Sequence, residues 1–528
     1  MEVKRTILAM VISIAILLGW QYFFGPKPPV KGAETPAAVS GQAATPAAPA
    51  AIAPAASAAP LAPPVPAAVA TTVTLRNDLT TVTLTSAGGR VEGVVLEKYR
   101  DAPGPSGKPL VLLPGESDGS GYTTLPVFAP SKDVIFSVAE STPEKVVFAW
   151  QSPSGARLEK TFVLEQGRYD LSLKVTVSNQ GSSAISDRLV FSTVGDYSNV
   201  KSSSYIFQGP SYLAGEKLTQ TDPDDADGKT MTVPPVAWAG LTDKYFMVVL
   251  APENETISST RVAPAGDVKN VVSVDIETPV FDLAPGQAKS FTGRLYIGPK
   301  DKKIIEPLGL KLELAIDYGW FNFIGRPMIT FLNWIYGLVG NYGVAILILT
   351  AFIKGIFWPL TAKSYQSMAR MKEIQPKMEK LREKYGDDPQ KLNREMMHLY
   401  KTHKVNPLSG CLPMLVQIPV FIALYRVLLY AIELRHAPFV WWLQDLSAPD
   451  PYYITPVVMG LSMFFQQKMT PAGATNEMQR KLMLYGLPVL FTWLFKDFPS
   501  GLVVYWLLNN LISIAQQGMQ LRRNAKPA

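Results

Sequence analysis

A lysine set inside a long apolar run is the first residue here that could do chemistry. Lys354 stands five residues before Pro359, which at about 1.5 Å of rise per helical residue buries it about 8 Å from the end of a span. Thr350, one turn earlier, shares its helical face, and Gln417 lies at similar depth in another apolar run. Tyr505 and Trp506 fall near the middle of the last run. Charges in hydrocarbon are costly and commonly face a water-filled cavity where they meet a substrate or an ion. The bland alternative is that Lys354 snorkels to the interface and does nothing. Several polar groups at compatible depth favour a hydrated groove lined by Lys354, Thr350, Gln417, Tyr505 and Trp506. Arg426, a second cation nearer the opposite face, either snorkels or pairs with Glu433.

The remaining inventory argues against covalent catalysis. No G-x-x-x-x-G-K-[ST] phosphate loop occurs, so nucleotide hydrolysis is not expected. No G-x-S-x-G element or membrane histidine accompanies the apolar runs, which argues against an intramembrane protease. The histidines, His398, His403 and His436, lie outside the polar middle of the chain, and Asp222, Asp224 and Asp225 sit in a turn-like Gly/Pro/Asp-rich loop. Cys411 is the one cysteine, which excludes a disulfide framework. Neither a cofactor nor a metal is expected.

The elements that must position these residues follow from the distribution of apolar and charged positions. The 528 residues carry a net charge of +7. The basic residues gather in loops between apolar runs, which fits membrane orientation better than nucleic acid. Residues 1–25 read as an uncleaved signal anchor, with Lys4 and Arg5 ahead of the run Ile7–Phe24. Residues 26–71 are Ala/Pro-rich and predict a disordered tether. From about 72 to 300, within a domain that extends to 318, the pattern alternates with period two, as in Leu171-Ser172-Leu173-Lys174-Val175. That predicts a large antiparallel β-sandwich, followed by a helix over Lys302–Ile316 that leads toward the membrane. Residues 319–340 mix aromatics with Asn322, Arg326 and Asn333 and predict an amphipathic helix lying in the interface. Five spans follow, at about 342–360, 411–432, 453–468, 483–496 and 499–517. With the anchor they make a six-span, polytopic α-helical membrane protein. Both termini, the basic tail 521–528 among them, then face the cytoplasm and the large domain lies outside.

Between the first two of these spans, residues 363–404 predict a charged cytoplasmic hairpin of two helices. Met368, Met371, Ile374 and Met378 recur at helical spacing, Gly386-Asp387-Asp388-Pro389 supplies a stop and a new N-cap, and Met396 continues the stripe. A Met stripe serves equally as an internal seam or as a partner surface, and both readings stay open.

One stretch goes further. Lys404-Val405-Asn406-Pro407-Leu408-Ser409-Gly410-Cys411-Leu412-Pro413, continuing through Gln417-Ile418-Pro419 to Tyr425, resembles the signature of the YidC insertase family. The mitochondrial oxidase-assembly and chloroplast Albino insertases are its relatives. Glu433-Leu434-Arg435-His436-Ala437-Pro438-Phe439, Asp450-Pro451-Tyr452-Tyr453, Phe464-Phe465-Gln466-Gln467-Lys468-Met469 and Phe498-Pro499-Ser500-Gly501-Leu502 agree with it. The anchor and β domain are similar to the Gram-negative form. The resemblance implies an insertase and chaperone of the bacterial inner membrane. Its five-span core (341–520) would enclose a groove open to cytoplasm and lipid and closed outside. It implies nascent membrane proteins as substrates, with the ribosome, the Sec translocon and the lipid bilayer as partners, and no specific nucleic-acid sequence. The family's groove cation is most often Arg, and here Lys354 matches it, keeping the charge without the bidentate fork. The alternative from another class is a secondary transporter with Lys354 as its ion site. Against it, the carboxy-terminal spans show no inverted repeat.

Overall fold

The computed structural model describes residues 69–113, 122–124, 134–198, 206–226, 230–233, 235–253, 257–266, 269–386, 388–403, 412–469, 478 and 481–524. The expected anchor, nearly all of the tether, the stretch Lys404–Cys411 and the end of the basic tail lie outside these residues.

The period-two alternation becomes strand. Ala156–Leu164 alternates between buried and half-buried positions over its whole length. It sits inside a nine-stranded sheet whose order from edge to edge is Lys217–Gln220, Gly209–Ala214, Trp238–Thr242, Phe246–Pro252, Ala288–Pro299, Asp170–Asn179, Ala156–Leu164, Lys145–Gln151 and Ser137–Ser141. A four-stranded sheet (Thr72–Arg76, Thr80–Thr85, Arg90–Arg100, Pro109–Leu113) and a five-stranded sheet centred on Val271–Glu277 accompany it. Every pairing among the described strands is antiparallel. The sheets share one apolar core, in which Trp238, Phe148, Phe162, Phe291 and Tyr296 are fully buried. Charge-bearing side chains are buried as well, Lys160 among them. Lys160 is wholly buried, donates to Gly88 O at 2.6 Å and lies 4.9 Å above the Phe136 ring. Gly88 and Gly89, with φ of 73° and 56°, make the turn that offers this carbonyl.

The helix expected over Lys302–Ile316 is not continuous. One α-turn, Lys302–Ile305, is followed by 3₁₀ turns at Glu306–Leu308 and Leu312–Ala315. Pro307 lacks an amide donor, and Gly309 and Lys311 take left-handed φ of 69° and 56°, so the chain turns between short pieces. The β domain also touches the helical half directly. Phe207 N donates to Tyr430 Oη at 3.2 Å, and Arg435 Nη2 donates to Arg100 O at 2.6 Å with its guanidinium over Phe246.

The helical half contains α1 (Asn322–Val339), α2 (Tyr342–Tyr385), α3 (Pro389–Thr402), α4 (Leu412–Tyr430), α5 (Ile454–Met469), α6 (Leu487–Phe495) and α7 (Ser500–Asn524). A π-turn, Leu482–Gly486, leads into α6. Asn341 caps α2 by accepting from Val344 N at 3.0 Å, and the helix then runs 44 residues, so the first core span and the hairpin's first arm are one helix. Asp388 caps α3, accepting from Gln390 N and Lys391 N, with Pro389 in its first turn. By composition and length Tyr342–Met371 suffices on its own to cross a bilayer, whereas Gln417–Tyr430 and Leu482–Phe495 are shorter apolar stretches. The bundle is apolar outside. Phe352, Ile356, Leu461, Phe465, Val489 and Trp493 are exposed on it. Gly460 lets α5 and α6 approach closely, since a Cβ there would run into Thr492.

Candidate functional site

Behind that apolar surface the polar groups turn inward. Lys354 is 6% exposed and donates from Nζ to Ser513 Oγ at 2.9 Å, across from α2 to α7. Ser513 Oγ in turn donates to Asn509 O at 2.8 Å and has Tyr365 of α2 as a further side-chain hydrogen-bond partner; toward the lysine, which only donates, it is an acceptor. Asn509 Nδ2 reaches Tyr505 Oη at 3.4 Å, and Tyr505 has Gln417 of α4 as a second side-chain hydrogen-bond partner. Lys354, Tyr505 and Gln417 therefore lie along one chain of hydrogen-bonding residues that joins α2, α7 and α4. No carboxylate among the described residues forms an ion pair with Lys354.

Two of the expected residues stand apart. The Thr350 hydroxyl donates to Ile346 O at 2.6 Å, one turn back in its own helix. It is fully buried on the lysine's face and makes no bond to it. Trp506 belongs to an aromatic cluster instead, with ring centroids 4.8 Å from Phe421, 5.1 Å from Phe495 and 5.6 Å from Phe491. Tyr505 and Trp506 are helical neighbours and so point to different sides.

Sequence reasoning missed the larger feature. Asn509, Asn510, Ser513, Gln516, Gln517 and Gln520 recur at helical spacing along α7, and from Asn510 onward each is buried. Gln516 Nε2 donates to Thr361 Oγ1 at 2.6 Å on α2, and Asn510 Nδ2 donates to Ser462 Oγ at 2.9 Å on α5. The signal was present as a period of three and four among uncharged polar residues. It lies toward the end of the last apolar run, away from the depth of Lys354 on which the expected groove was centred.

At the hairpin, Ile374 and Met378 are buried between α2 and α3, with Met371, Met396, Leu399 and Tyr400 packed around them. These three methionines form the internal seam. Met368 is half-buried outside that cluster, and Met397 is the exposed methionine of α3. Arg426 lies over the Tyr430 ring at 5.9 Å, while Glu433 Oε1 accepts from Asn333 Nδ2 at 3.1 Å.

The motifs on the other side of the helices have structural work. Asp450 Oδ2 accepts from Thr455 N and Thr455 Oγ1 at 2.7 and 2.8 Å, and Oδ1 accepts from Tyr452 N at 3.0 Å. Burial pushes the Asp450 carboxyl up, but these donors outweigh it and hold it below the usual range. Ser500 Oγ donates to Asp445 O at 2.9 Å.

Residues 334–526 match the family model described as 60Kd inner membrane protein, and residues 72–331 match the YidC periplasmic domain. Membrane protein insertase YidC of Geobacter sulfurreducens is 42% identical, over 97% of each chain. The insertase YidC of Citrifermentans bemidjiense is 41% identical over 97% of this chain and 98% of its own. A crystal structure of an active YidC insertase aligns over 84% of this chain and 91% of that one, with 18% identity and a TM-score of 0.37, too low to carry an argument.

Proposed function

The chain belongs to the YidC family of membrane protein insertases, and from that premise we propose that Lys354 receives the translocated polar segment of a nascent membrane protein. One observation supports this reading above the rest. A lysine with three N–H donors is nearly enclosed in a bundle that is apolar outside, and its one acceptor among the described residues is a neutral hydroxyl. Such a cation gains from a carboxylate or carbonyl brought to it, because charge-assisted bonds are the stronger ones. Ser513, Asn509, Tyr505 and Gln417 extend the polar path from it. Each replaces part of the hydration that a polar segment sheds on entering a low-dielectric core. The substrate's apolar segment then leaves into lipid, driven by hydrophobic transfer.

In this reading the anchor and α2, α4, α5, α6 and α7 are the six spans, α1 lies in the outer interface, and both termini are cytoplasmic. The α2/α3 hairpin meets the nascent chain first, with the ribosome and the Sec translocon as proposed partners. The transporter alternative has no support among the relatives, which are insertases.

The deciding experiment is reconstitution of the purified full chain in liposomes with a small membrane protein supplied during translation. Protease-protected, carbonate-resistant product is expected. Liposomes that insert no more than protein-free ones would overturn the proposal that this chain suffices.

A further inference from the structure

We propose that Ser513 sets the charge preference of the site by competing with the substrate for Lys354; this rests on the reading of Lys354 given above. The geometry carries the step. Ser513 Oγ is 3% exposed, donates to Asn509 O and has Tyr365 as a further side-chain partner, and at 2.9 Å from Lys354 Nζ it is held in place as an acceptor. It therefore occupies one of the lysine's three donors before any substrate arrives. One turn further along, Gln516 Nε2 donates to Thr361 Oγ1 and holds the same two helices together. The pairs Lys354–Ser513 and Thr361–Gln516 step along α2 and α7 in the same direction, so the lysine is held inside a polar seam. A translocated carboxylate wins the lysine from a neutral hydroxyl because it is the better acceptor for a cation. A neutral amide has a smaller advantage. Ser513 thus acts as a positioning residue that tempers selection for anionic segments, because the donor it holds would add more to a carboxylate than to an amide.

The test compares two substrates that differ only in the translocated tail, one with Asp and Glu, the other with Asn and Gln. The readout is the ratio of their insertion rates into liposomes carrying the full-length chain. Ser513→Ala frees the lysine for either tail, and the acidic-to-neutral ratio is expected to change by about threefold upward where donor number limits capture. Ser513→Asp supplies a permanent carboxylate, and the ratio is expected to fall about tenfold or more. Ser513→Asn, equal in shape to Asp but uncharged, is expected to stay within about threefold of wild type. Opposite signs for Ala and Asp cannot come from a purely structural role. Equal shifts for Asp and Asn, a fall with Ala, or no shift in any variant would overturn the proposal. If Ser513→Asp does not fold, the direction of the Ser513→Ala shift decides. Lys354→Leu separates the two readings. An unchanged ratio in that variant refutes the role given to Lys354 itself, whereas a lowered ratio there with a null Ser513 series refutes only the competition.

Discussion

Lys354→Leu should separate function from folding. The lysine is 6% exposed and bonded to one neutral hydroxyl. Removing it deletes a poorly compensated buried cation while Ser513 keeps its bond to Asn509 O. Replacing buried charge by a well-packed apolar side chain is often neutral or stabilising, by about 1–4 kcal/mol. The purified variant should therefore melt at or above the wild-type temperature. Insertion should move the other way. A hydrogen bond to a charged group contributes about 1.5–3 kcal/mol, which at about 1.4 kcal/mol per decade is about a ten- to hundredfold loss in rate. That loss should fall on substrates with acidic translocated tails and be much smaller for neutral ones. Lys354→Arg should retain most activity, because the charge survives, and Lys354→Glu should be worst, because it repels those tails. The assay is protease protection of tail-charge pairs in proteoliposomes at matched protein levels. Wild-type insertion of acidic-tailed substrates by a folded Lys354→Leu chain would refute the charge-based mechanism and leave only the uncharged residues or local thinning of the bilayer.

Four further outcomes are expected. Lys160→Met should stabilise the β domain of the full chain by about 1–4 kcal/mol at neutral pH, read from its thermal melt. Burial, with help from Arg90, lowers the Lys160 pKa from 10.5 to about 7. Between those values the unfolded chain holds the extra proton, so wild-type stability rises with pH and the advantage of Met should shrink toward pH 10.5. Asp450→Asn should cost about 1–3 kcal/mol, since the amide cannot accept all the donors that converge on the carboxylate, and hydrogen exchange at the start of α5 would show it. Replacing residues 370–400 with a short Gly/Ser loop should preserve the spans and cut insertion sharply, and activity near wild type would limit the Met stripe to its packing role. Deleting residues 40–295 should leave insertion largely intact, since the sequence of the β domain carries no recognisable site; a folded but inactive deletion would make the domain central.

Local chemistry made much of the architecture legible. The alternation of Leu171 to Val175 marked a strand that sits mid-sheet. Gly386 and Asp388-Pro389 placed the hairpin's break where α2 stops and α3 begins. At Lys302–Ile316 the expected helix is broken, because Pro307 lacks an amide donor and Gly309 takes a left-handed φ. The pairing of Lys354 with Ser513 spans 159 positions and was out of reach. Periodicity gives each helix its polar face, but which faces meet is decided by packing among helices. For the same reason Tyr505 and Trp506, adjacent in sequence, turned out to serve a hydrogen-bonded path and an aromatic cluster respectively.

The proposed groove also has a preferred side to open, and the bonds between elements say which. On the side of the β domain, Asn333 joins Glu433 and Tyr342, and Asn341 Nδ2 donates to Phe439 O. There Ser500 Oγ donates to Asp445 O, Ser500 N to Ala448 O and Gly501 N to Leu446 O. Five of these bonds tie α1, α2 and α7 to the segment between α4 and α5, and the sixth joins α1 to α2. Toward the hairpin, α2 and α7 are joined by Lys354 and Tyr365 with Ser513 and by Gln516 with Thr361 and the Trp358 carbonyl. At about 1 kcal/mol net per bond, parting the helices costs a few kcal/mol on either side. Only on the hairpin side can an entering polar segment repay part of that cost, by taking over the Lys354 bond. The proposed groove therefore opens more cheaply toward the hairpin, with the ties on the β-domain side left in place.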